Sequence, residues 1–227
     1  MSMPFGYVSP EQAMKDRADF ARKNVARGRP LVAMIHINGV VIAAENPSRS
    51  LHKISEIYDR IAFGGVGKYS EFDGLRTAGV RLADVTGYQY SREDVKARSL
   101  ANAYGQTLNN VFTHEMKPLE VEILVVEVGY HVGDDQLFHI LYDGTVVDEQ
   151  HVSALGGDSE TILERLRSAF EEGMARDAAI KAAVAALAGP ERQLKATELE
   201  VADLARNTGR RAFRRVEVSE LEQVLAG

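Results

Sequence analysis

Apolar and polar residues follow two different spacings along this chain, and the spacings predict separate blocks of helices and strands. The first helix starts at Ser9-Pro10-Glu11, because a serine cap, a proline and an acid are typical of a first turn. It runs to about Arg27 and ends at Gly28, a residue that tolerates the backbone that stops a helix. Its apolar residues recur every three or four positions in one narrow stripe. A stripe so narrow favours a helix on a surface or between subunits.

Two continuous apolar runs follow this helix, at residues 31–37 and 40–44. Asn38-Gly39 separates them, and an Asn-Gly pair between apolar runs is the strongest short signal for a β-hairpin. Both turn residues of that hairpin adopt positive φ, which asparagine and glycine tolerate best. We therefore predict two antiparallel strands that turn at Asn38 and Gly39.

The rest of the chain continues in blocks. A predicted helix over 68–85 contains Gly74 and Gly79, which would let another backbone approach closely. Ser91-Arg92-Glu93-Asp94 has the form of a capping box and starts the next predicted helix. Separate blocks of strands and helices favour an α+β fold over a doubly wound parallel sheet. The other predicted strands are 54–63 (a strand pair), 121–130, 137–142, 146–147, 198–204 and 213–218, and the other predicted helices are 91–114, 159–172 and 175–187.

The domain count follows from the length and from the absence of breaks in the pattern. A chain of 227 residues suffices for one large domain or two small ones. No internal repeat or linker divides it, so we predict one domain over residues 9–227. Residues 1–8 precede any regular pattern and are predicted to form a flexible or conditionally ordered tail.

Composition narrows the class of protein. The chain is 45% apolar and 26% charged, as in ordinary soluble globular proteins, and its net charge of −6 argues against nucleic-acid binding. It has no cysteine, which excludes disulfides, thiolate metal sites and a thiol nucleophile. No apolar run reaches the roughly 20 residues of a membrane span, and residues 1–10 lack the features of a secretory signal. We therefore expect a soluble cytoplasmic protein.

Motifs for cofactors and catalysis are weak in this sequence. GGVGKYS at 64–70 resembles a phosphate-binding loop, but Ala62 and Tyr69 stand where that motif needs glycine and serine or threonine. The six histidines form no metal-binding spacing, and G-x-S-x-G does not occur. His36 and His139 lie in strand patterns and are expected to be packed or edge residues. We predict neither a cofactor nor a metal.

Two basic residues stand at the ends of predicted elements. Lys53 lies at the start of a strand, where its position is equally consistent with a solvated edge lysine and with a binding residue. Arg27 lies at the end of the first helix, where a cation suits the helix dipole. Helix termination and solvation explain Arg27 equally well.

Several motifs occur in an order that resembles a known family. They are Ser9-Pro10-Glu11, NGVVIAAE at 38–45, HKISEIYD at 52–59 and the turn at Gly67. In this order they are similar to an α-type subunit of the 20S proteasome, of the actinobacterial kind. The resemblance covers nearly all of the chain. It implies a four-layer αββα sandwich of the N-terminal nucleophile hydrolase type, which agrees with the predicted α+β class.

The resemblance implies a non-catalytic subunit. In this family, seven α subunits form an outer ring that gates entry to the chamber of the β-subunit threonine peptidases and docks ATPase activators. The implied partners are β subunits, neighbouring α subunits, the C-terminal tails of activators and unfolded proteins in transit, with neither nucleic acid nor membrane. The implied process is ATP-dependent degradation of tagged (pupylated) proteins.

The lack of a nucleophile at the start of the first strand supports a non-catalytic role. An N-terminal nucleophile hydrolase attacks with its own first residue, whose free α-amino group accepts the proton. Here Arg29, Pro30 and Leu31 stand at the start of the first strand, and no Thr, Ser or Cys lies between Gly28 and Ile37. We therefore predict no catalytic residues. An active threonine peptidase of the same fold and an unrelated α+β binding module are the alternatives.

The resemblance also implies three functional regions. Lys53 is similar to the lysine that meets an activator's C-terminal carboxylate between α subunits, with Arg27 adding positive potential and Gly67 leaving room for the peptide. Lys117 and Pro118 are similar to part of the loop that lines the axial pore. The helix over 68–85 is the candidate for packing against β subunits. The tail forms the gate, and its residues are Met1, Ser2, Met3, Pro4, Phe5, Gly6, Tyr7 and Val8.

Overall fold

The computed structural model describes residues 9–227, which form six α-helices and ten β-strands. The helices are α1 (Pro10–Ala26), α2 (Tyr69–Gln89), α3 (Ala97–His114), α4 (Ser159–Ala169), α5 (Arg176–Ala188) and α6 (Val218–Ala226). The strands are β1 (Leu31–His36), β2 (Gly39–Glu45), β3 (Ile54–Tyr58), β4 (Ile61–Gly67), β5 (Val121–Glu127), β6 (Gln136–Ile140), β7 (Val146–Glu149), β8 (Val152–Leu155), β9 (Leu199–Ala205) and β10 (Phe213–Arg215).

The strands form two antiparallel sheets of five strands each. Their orders are β10-β9-β2-β1-β8 and β3-β4-β5-β6-β7. Helices α4, α5 and α6 share a core with the first sheet, α2 and α3 share a core with the second, and a third core lies between the sheets. The predicted four-layer αββα sandwich is therefore confirmed. None of the helices within residues 9–227 has both the length and the apolarity that crossing a membrane requires.

Residues of β1 alternate between two of these cores. Val32 and Met34 belong to the core with α4 and α5, whereas Leu31 and Ala33 belong to the core between the sheets. All four side chains are fully buried. A strand covered on both faces reads as a continuous apolar run, which explains why residues 31–37 show no polar alternation.

Helix α1 has the bounds and the narrow apolar face that the sequence predicted. The Ser9 hydroxyl accepts a hydrogen bond from the Gln12 amide at 3.2 Å, and the helix is capped at Arg27. Ala21 and Val25 are its buried residues. Ala21 packs in a small separate cluster with aromatic rings of α3 and of the segment after β6. The helix therefore lies on the surface of the sandwich, with most of its side chains in solvent.

The hairpin is confirmed, but its predicted turn is wrong by one residue. His36 pairs with Gly39, so the turn residues are Ile37 and Asn38. Within residues 9–227 only glycines have positive φ, and Asn38 therefore does not adopt the predicted conformation. Gly39 instead starts β2 with φ of 150°, and a Cβ on it would lie 1.9 Å from the carbonyl oxygen of Leu204. The glycine is needed for close pairing of β2 with β9 rather than for the turn.

Strand β8 and helix α6 were not predicted, and the predicted strands over 121–130 and 213–218 are each three residues too long, since β5 ends at Glu127 and β10 at Arg215. Strand β8 (Val152–Leu155) pairs with β1 at the edge of the first sheet. The predicted strand over 213–218 ends at Arg215, and helix α6 begins at Val218. Residues 152–155 are too few for a clear alternation, and the four-residue length of β8 is set by its pairing with β1.

The predicted capping box starts a different element. Ser91 accepts a hydrogen bond from the Glu93 amide at 3.2 Å, but the turn that it caps is a 3₁₀ turn at Arg92–Asp94. Helix α3 begins later, at Ala97, whose amide donates to the Glu127 carboxylate at 2.8 Å. A side chain of β5 thus satisfies the helix start, which local sequence could not reveal.

Candidate functional site

Lys53 precedes β3, and its backbone is fixed from two sides. Its carbonyl accepts a hydrogen bond from the Gly65 amide at 2.9 Å, which ties it to β4. Its amide donates to Glu200 Oε2 at 2.8 Å, and the Ile54 amide donates to Oε1 of the same carboxylate at 3.2 Å. Glu200 belongs to β9, in the other sheet. Lys53 therefore sits where both sheets meet the loop after β2.

Glu200 organises this loop. Besides the two backbone amides, its Oε2 accepts from Asn46 Nδ2 at 2.7 Å, and its Oε1 pairs with Arg215 Nη1 at 2.6 Å. Arg215 also donates to the Ile54 carbonyl at 2.6 Å. Because each carboxylate oxygen has a charged or polar donor, Glu200 holds the loop without leaving a free negative charge.

The Lys53 side chain turns back towards the start of β1. Its Nζ donates a hydrogen bond to the backbone carbonyl of Arg29, and the residue is half-buried. Burial, assisted by the charge of Arg29 and opposed by Glu200 and Glu45, lowers the pKa of Lys53 to about 8. The amine is thus much closer to neutrality near pH 7 than an ordinary lysine.

Glu45, at the end of β2, is neutralised by arginines. Its Oε1 pairs with Arg29 Nη1 at 2.5 Å, and its Oε2 pairs with Arg192 Nη1 at 3.2 Å. Arg192 also donates to the carbonyl of Leu187 at the end of α5 at 2.9 Å. The carboxylate that lies near Lys53 is therefore already engaged by two cations.

The start of β1 is covered by continuous chain. Pro30 is buried, and its carbonyl accepts from the Glu45 amide at 3.1 Å. The Gly28 carbonyl accepts from the Gly157 amide at 3.1 Å, and a Cβ on Gly28 would lie 2.7 Å from Val66 Cγ1. Helix α1 precedes this segment directly. A free α-amino group, which an N-terminal nucleophile requires, has no place here.

Gly67 lies beside the same segment, and contacts within this chain explain why glycine occupies this position. Its φ is 109°, and a Cβ would lie 2.0 Å from the carbonyl oxygen of Glu120. Its amide nitrogen is 3.2 Å from the position that a Cβ on Gly28 would occupy. Gly67 therefore joins Gly28 at this end of the sandwich, and its conformation alone requires glycine.

Arg27 is exposed and less closely tied to the site. Its Nη1 donates to Asn24 Oδ1 of its own helix at 3.4 Å. The structure thus brings Lys53 and Gly67 against the segment 28–29, whereas Arg27 stands one residue away on the surface. Sequence reasoning missed Arg29, Glu45 and Glu200 as neighbours of Lys53. Glu200 lies 147 residues from Lys53 along the chain, and no local pattern joins them.

The predicted pore-loop residues Lys117 and Pro118 lie in the connection from α3 to β5. Pro118 is buried, whereas Lys117 is exposed. Lys117 Nζ contacts the Glu120 carboxylate and lies 3.5 Å from Glu71 Oε1, and the bond to Glu120 holds the pKa of Lys117 above its ordinary value. Glu71 also accepts from the Glu120 amide at 2.7 Å, so the start of α2 anchors this loop. Met116, at its tip, is 96% exposed.

The helix predicted to pack against β subunits is α2. A Cβ on Gly79 would lie 1.7 Å from the Tyr104 hydroxyl, so Gly79 serves the packing of α2 on α3 within this chain, whereas Gly74 has open space around it. Leu82, one turn after Gly79, is 41% exposed. Val85, Tyr88 and Tyr90 are exposed nearby.

The histidines do not form a metal site among residues 9–227, and no group of three potential ligands is found there. His36 Nε2 lies 3.0 Å from Asp203 Oδ1, and His139 Nε2 lies 3.0 Å from Glu122 Oε2. Both histidines are buried, as expected for packed residues. Residues 1–8, which the sequence predicts to form a gate, lie outside the described part of the chain.

Comparison with known proteins agrees with this architecture. A family model described as "Proteasome subunit" matches residues 25–203. A "Proteasome subunit alpha" from Acidimicrobium ferrooxidans is 59% identical over 99% of this chain and 97% of its own length. Proteins of the same name from Thermomonospora curvata and Sanguibacter keddieii are 52% and 54% identical over the full length of this chain and 99% and 90% of their own. The chain therefore belongs to the proteasome subunit family, as a subunit of the α type, which is the non-catalytic type.

Proposed function

We propose that this α subunit forms the outer seven-membered ring of a 20S core, gates entry to the β-subunit chamber and docks ATPase activators through Lys53. Its single domain, residues 9–227, supplies the docking end of the sandwich, and residues 1–8 supply the gate. The core would act in the cytoplasm on unfolded, tagged (pupylated) proteins. The observation that carries the docking role is the position of Lys53, a half-buried amine at the start of β1.

The chemistry of Lys53 suits a lone carboxylate. A lysine ammonium is a compact point charge, and a partly desolvated setting strengthens its hydrogen bonds to an anion. Its neighbouring carboxylates, Glu45 and Glu200, are engaged by arginines, so the ammonium is available to a negative ligand. Capture of a terminal carboxylate is a recurring mode of peptide recognition.

The surroundings support an incoming peptide end. Arg27 is exposed on the adjoining helix end and adds positive potential. Gly67, next to Gly28, is the proposed point of approach for the peptide main chain. A neighbouring α subunit would complete the pocket. The exposed apolar residues of α2, Leu82, Val85 and Tyr88, are the proposed contact with β subunits.

Transit of the substrate involves the remaining two regions. The loop with Lys117 and Pro118 is anchored on Glu71 and would form a rigid constriction around the ring axis. Residues 1–8 precede α1, whose first turn is fixed by the Ser9 cap, and would converge above that constriction. Together they would admit unfolded chains and exclude folded proteins.

The docking role is tested by Lys53→Ala in the chain assembled with its β partner. ATPase-dependent protein degradation and activator binding are expected to fall at least tenfold, whereas hydrolysis of small peptides by the core alone is unchanged. Lys53→Arg keeps the charge and is expected to lose less, and Lys181→Ala, on exposed α5 surface, is the matched control. Unchanged activator binding by Lys53→Ala would rule out this assignment.

A further inference from the structure

We propose that Lys53 is a site of acyl transfer, at which its Nζ accepts a small acyl group from an activated donor, an acyl phosphate or an acyl thioester. The amine is half-buried, and its hydrogen bond goes to a neutral backbone carbonyl, that of Arg29. Its backbone is fixed by Glu200 and by Gly65. The nucleophile is therefore held in one place at the edge of the solvent.

Among the lysines of residues 9–227, Lys53 alone is not exposed, and it shares the absence of an ion pair with Lys15, Lys23, Lys181 and Lys195. Lys68, Lys96 and Lys117 each have a carboxylate oxygen within 3.6 Å of Nζ. Within residues 9–227, Lys53 Nζ has no such ion pair. An ion pair stabilises the ammonium form, which has no lone pair for attack. Lys53 lacks that stabilisation.

Burial and the charge of Arg29 lower the pKa of Lys53 and outweigh Glu200 and Glu45, which raise it. Glu45 is held by Arg29 and Arg192, and Glu200 is held by Arg215. Arg29 itself, whose side chain is 56% exposed, adds a positive charge near the amine. A cation next to a partly desolvated lysine is a known way of activating it as a nucleophile.

These surroundings keep part of the amine neutral at physiological pH. With a pKa of about 8, roughly a tenth of Lys53 is neutral at pH 7, whereas an ordinary lysine is neutral in only about one molecule in 3,000. Since only the neutral amine attacks, the difference favours Lys53 strongly over exposed lysines.

The reaction balances without a further reagent. The Nζ lone pair attacks the acyl carbonyl carbon, an amide C–N bond forms, and the C–O bond to phosphate or the C–S bond to the thiol breaks. The leaving group takes the electron pair, and the nitrogen releases its proton to solvent. The product amide keeps one N–H, which can still donate to the Arg29 carbonyl. Half-burial favours a small group such as acetyl.

The consequence for regulation rests on the proposed docking function. Acylation removes the positive charge of Lys53 while leaving the backbone contacts to Glu200 and Gly65 in place. An acylated ring would keep its fold and its peptide access but would no longer pair with an activator carboxylate. Acyl supply would thus lower activator-dependent degradation.

The test uses the full chain assembled with its β partner. The particle is incubated with acetyl phosphate in one arm and acetyl-coenzyme A in the other, at pH 7 and at pH 9, and acetylation of each lysine is followed by mass spectrometry. Lys181, exposed on α5, is the internal reference. The ratio of the Lys53 rate to the Lys181 rate is expected to exceed one and to rise about tenfold from pH 9 to pH 7, because an ordinary lysine loses neutral amine about a hundredfold over that range and Lys53 about tenfold.

Acylation in either arm supports the proposal and identifies the donor class, whereas a Lys53 that stays unmodified in both arms, or a ratio independent of pH, overturns it. Arg29→Gln keeps the backbone carbonyl but removes a cation and releases Glu45, so it is expected to slow Lys53 acetylation at pH 7. The two proposals are separable. Acetylated particles that still degrade proteins with the activator would refute docking through Lys53 and leave the acyl transfer standing.

Discussion

The Nζ of Lys53 donates its hydrogen bond to the backbone carbonyl of Arg29, two residues before β1 begins. This places a lysine at the strand start where an N-terminal nucleophile would need both a side chain and a free amine. The chain instead runs on through Gly28 into α1. The chain thus has the fold of a hydrolase, but the start of β1 is joined to α1 by continuous backbone instead of bearing a free amine.

Replacing Lys53 by Met is expected to stabilise the isolated chain at pH 7. Folding places a charged amine in a half-buried site, and Met fills the volume of the stem without that cost. After the loss of one hydrogen bond to Arg29, the gain in the free energy of unfolding is on the order of 1 kcal/mol. Urea unfolding measures it, and a destabilised Lys53→Met would contradict the burial cost.

The gain from Lys53→Met is expected to depend on pH. The pKa of Lys53 is about 8 in the folded chain and near 10.5 in the unfolded chain. Below pH 8 the amine is charged in both states and the folded state bears the full cost. Between pH 8 and 10.5 the unfolded state binds more protons, so the stability of the wild-type chain rises and the advantage of Met disappears. An equal difference at pH 7 and pH 10 would exclude this linkage, and Lys181→Met serves as the exposed control.

Gly67→Ala and Gly74→Ala are expected to have opposite effects on stability. Gly67 has φ of 109° and its Cβ would lie 2.0 Å from the Glu120 carbonyl, so Ala must displace the pairing of β4 with β5 at a cost of about 2–4 kcal/mol. Gly74 lies inside α2 with no atom within 4 Å of its Cβ position, so Ala gains up to about 1 kcal/mol of helix propensity. Thermal unfolding of both variants distinguishes them, and similar melting temperatures would refute the distinction.

Deletion of residues 2–8 is expected to raise peptide hydrolysis by the assembled particle several-fold. The deletion stops before Ser9, whose hydroxyl caps α1, so the fold of residues 9–227 is preserved. Turnover of a fluorogenic peptide without activator measures the opening. A parallel deletion variant with Lys53→Ala should open equally, because docking is not involved. Unaltered turnover after the deletion would argue against a gate at this end.

Glu71→Gln is expected to loosen the loop before β5 without unfolding the protein. Glu71 accepts the Glu120 amide at 2.7 Å and pairs with Lys68 and Lys117. An amide side chain keeps the hydrogen bond but loses the charge, at a cost of about 1 kcal/mol. Hydrogen exchange at the Glu120 amide should become faster, while exchange in β1 is unaffected. Full protection at Glu120 in the variant would show that the anchor lies elsewhere.

Strong local signals made most of the fold predictable. The Ser9 cap and the glycine after Arg27 set the bounds of α1, and the continuous apolar run at 31–37 marked a strand that is buried on both faces. Signals that depend on tertiary pairing were misread. Gly39 is required by the approach of β9, and the short strand β8 exists because β1 offers it an edge.

The site was predictable only in part, for the same reason. The position of Lys53 at a strand start follows from local sequence, but the groups that set its charge state do not. Arg29, just before β1, and Glu45, at the end of β2, lie near Lys53, and Glu200 contacts it from β9 in the other sheet. The choice between a solvated lysine and a half-buried amine is therefore made by residues that no local spacing connects.

The hydrogen bonds of the Glu200 carboxylate also determine when the loop that carries Lys53 becomes fixed during synthesis. Its carboxylate binds Asn46 and the Lys53 amide, 154 and 147 residues earlier in the chain, and is itself held by Arg215. Contacts so distant in sequence form late, after the intervening chain has folded or emerged. The loop that carries Lys53 therefore stays unclamped until nearly the whole polypeptide has left the ribosome. A chain that ends before Glu200 would lack the fixed backbone of Lys53.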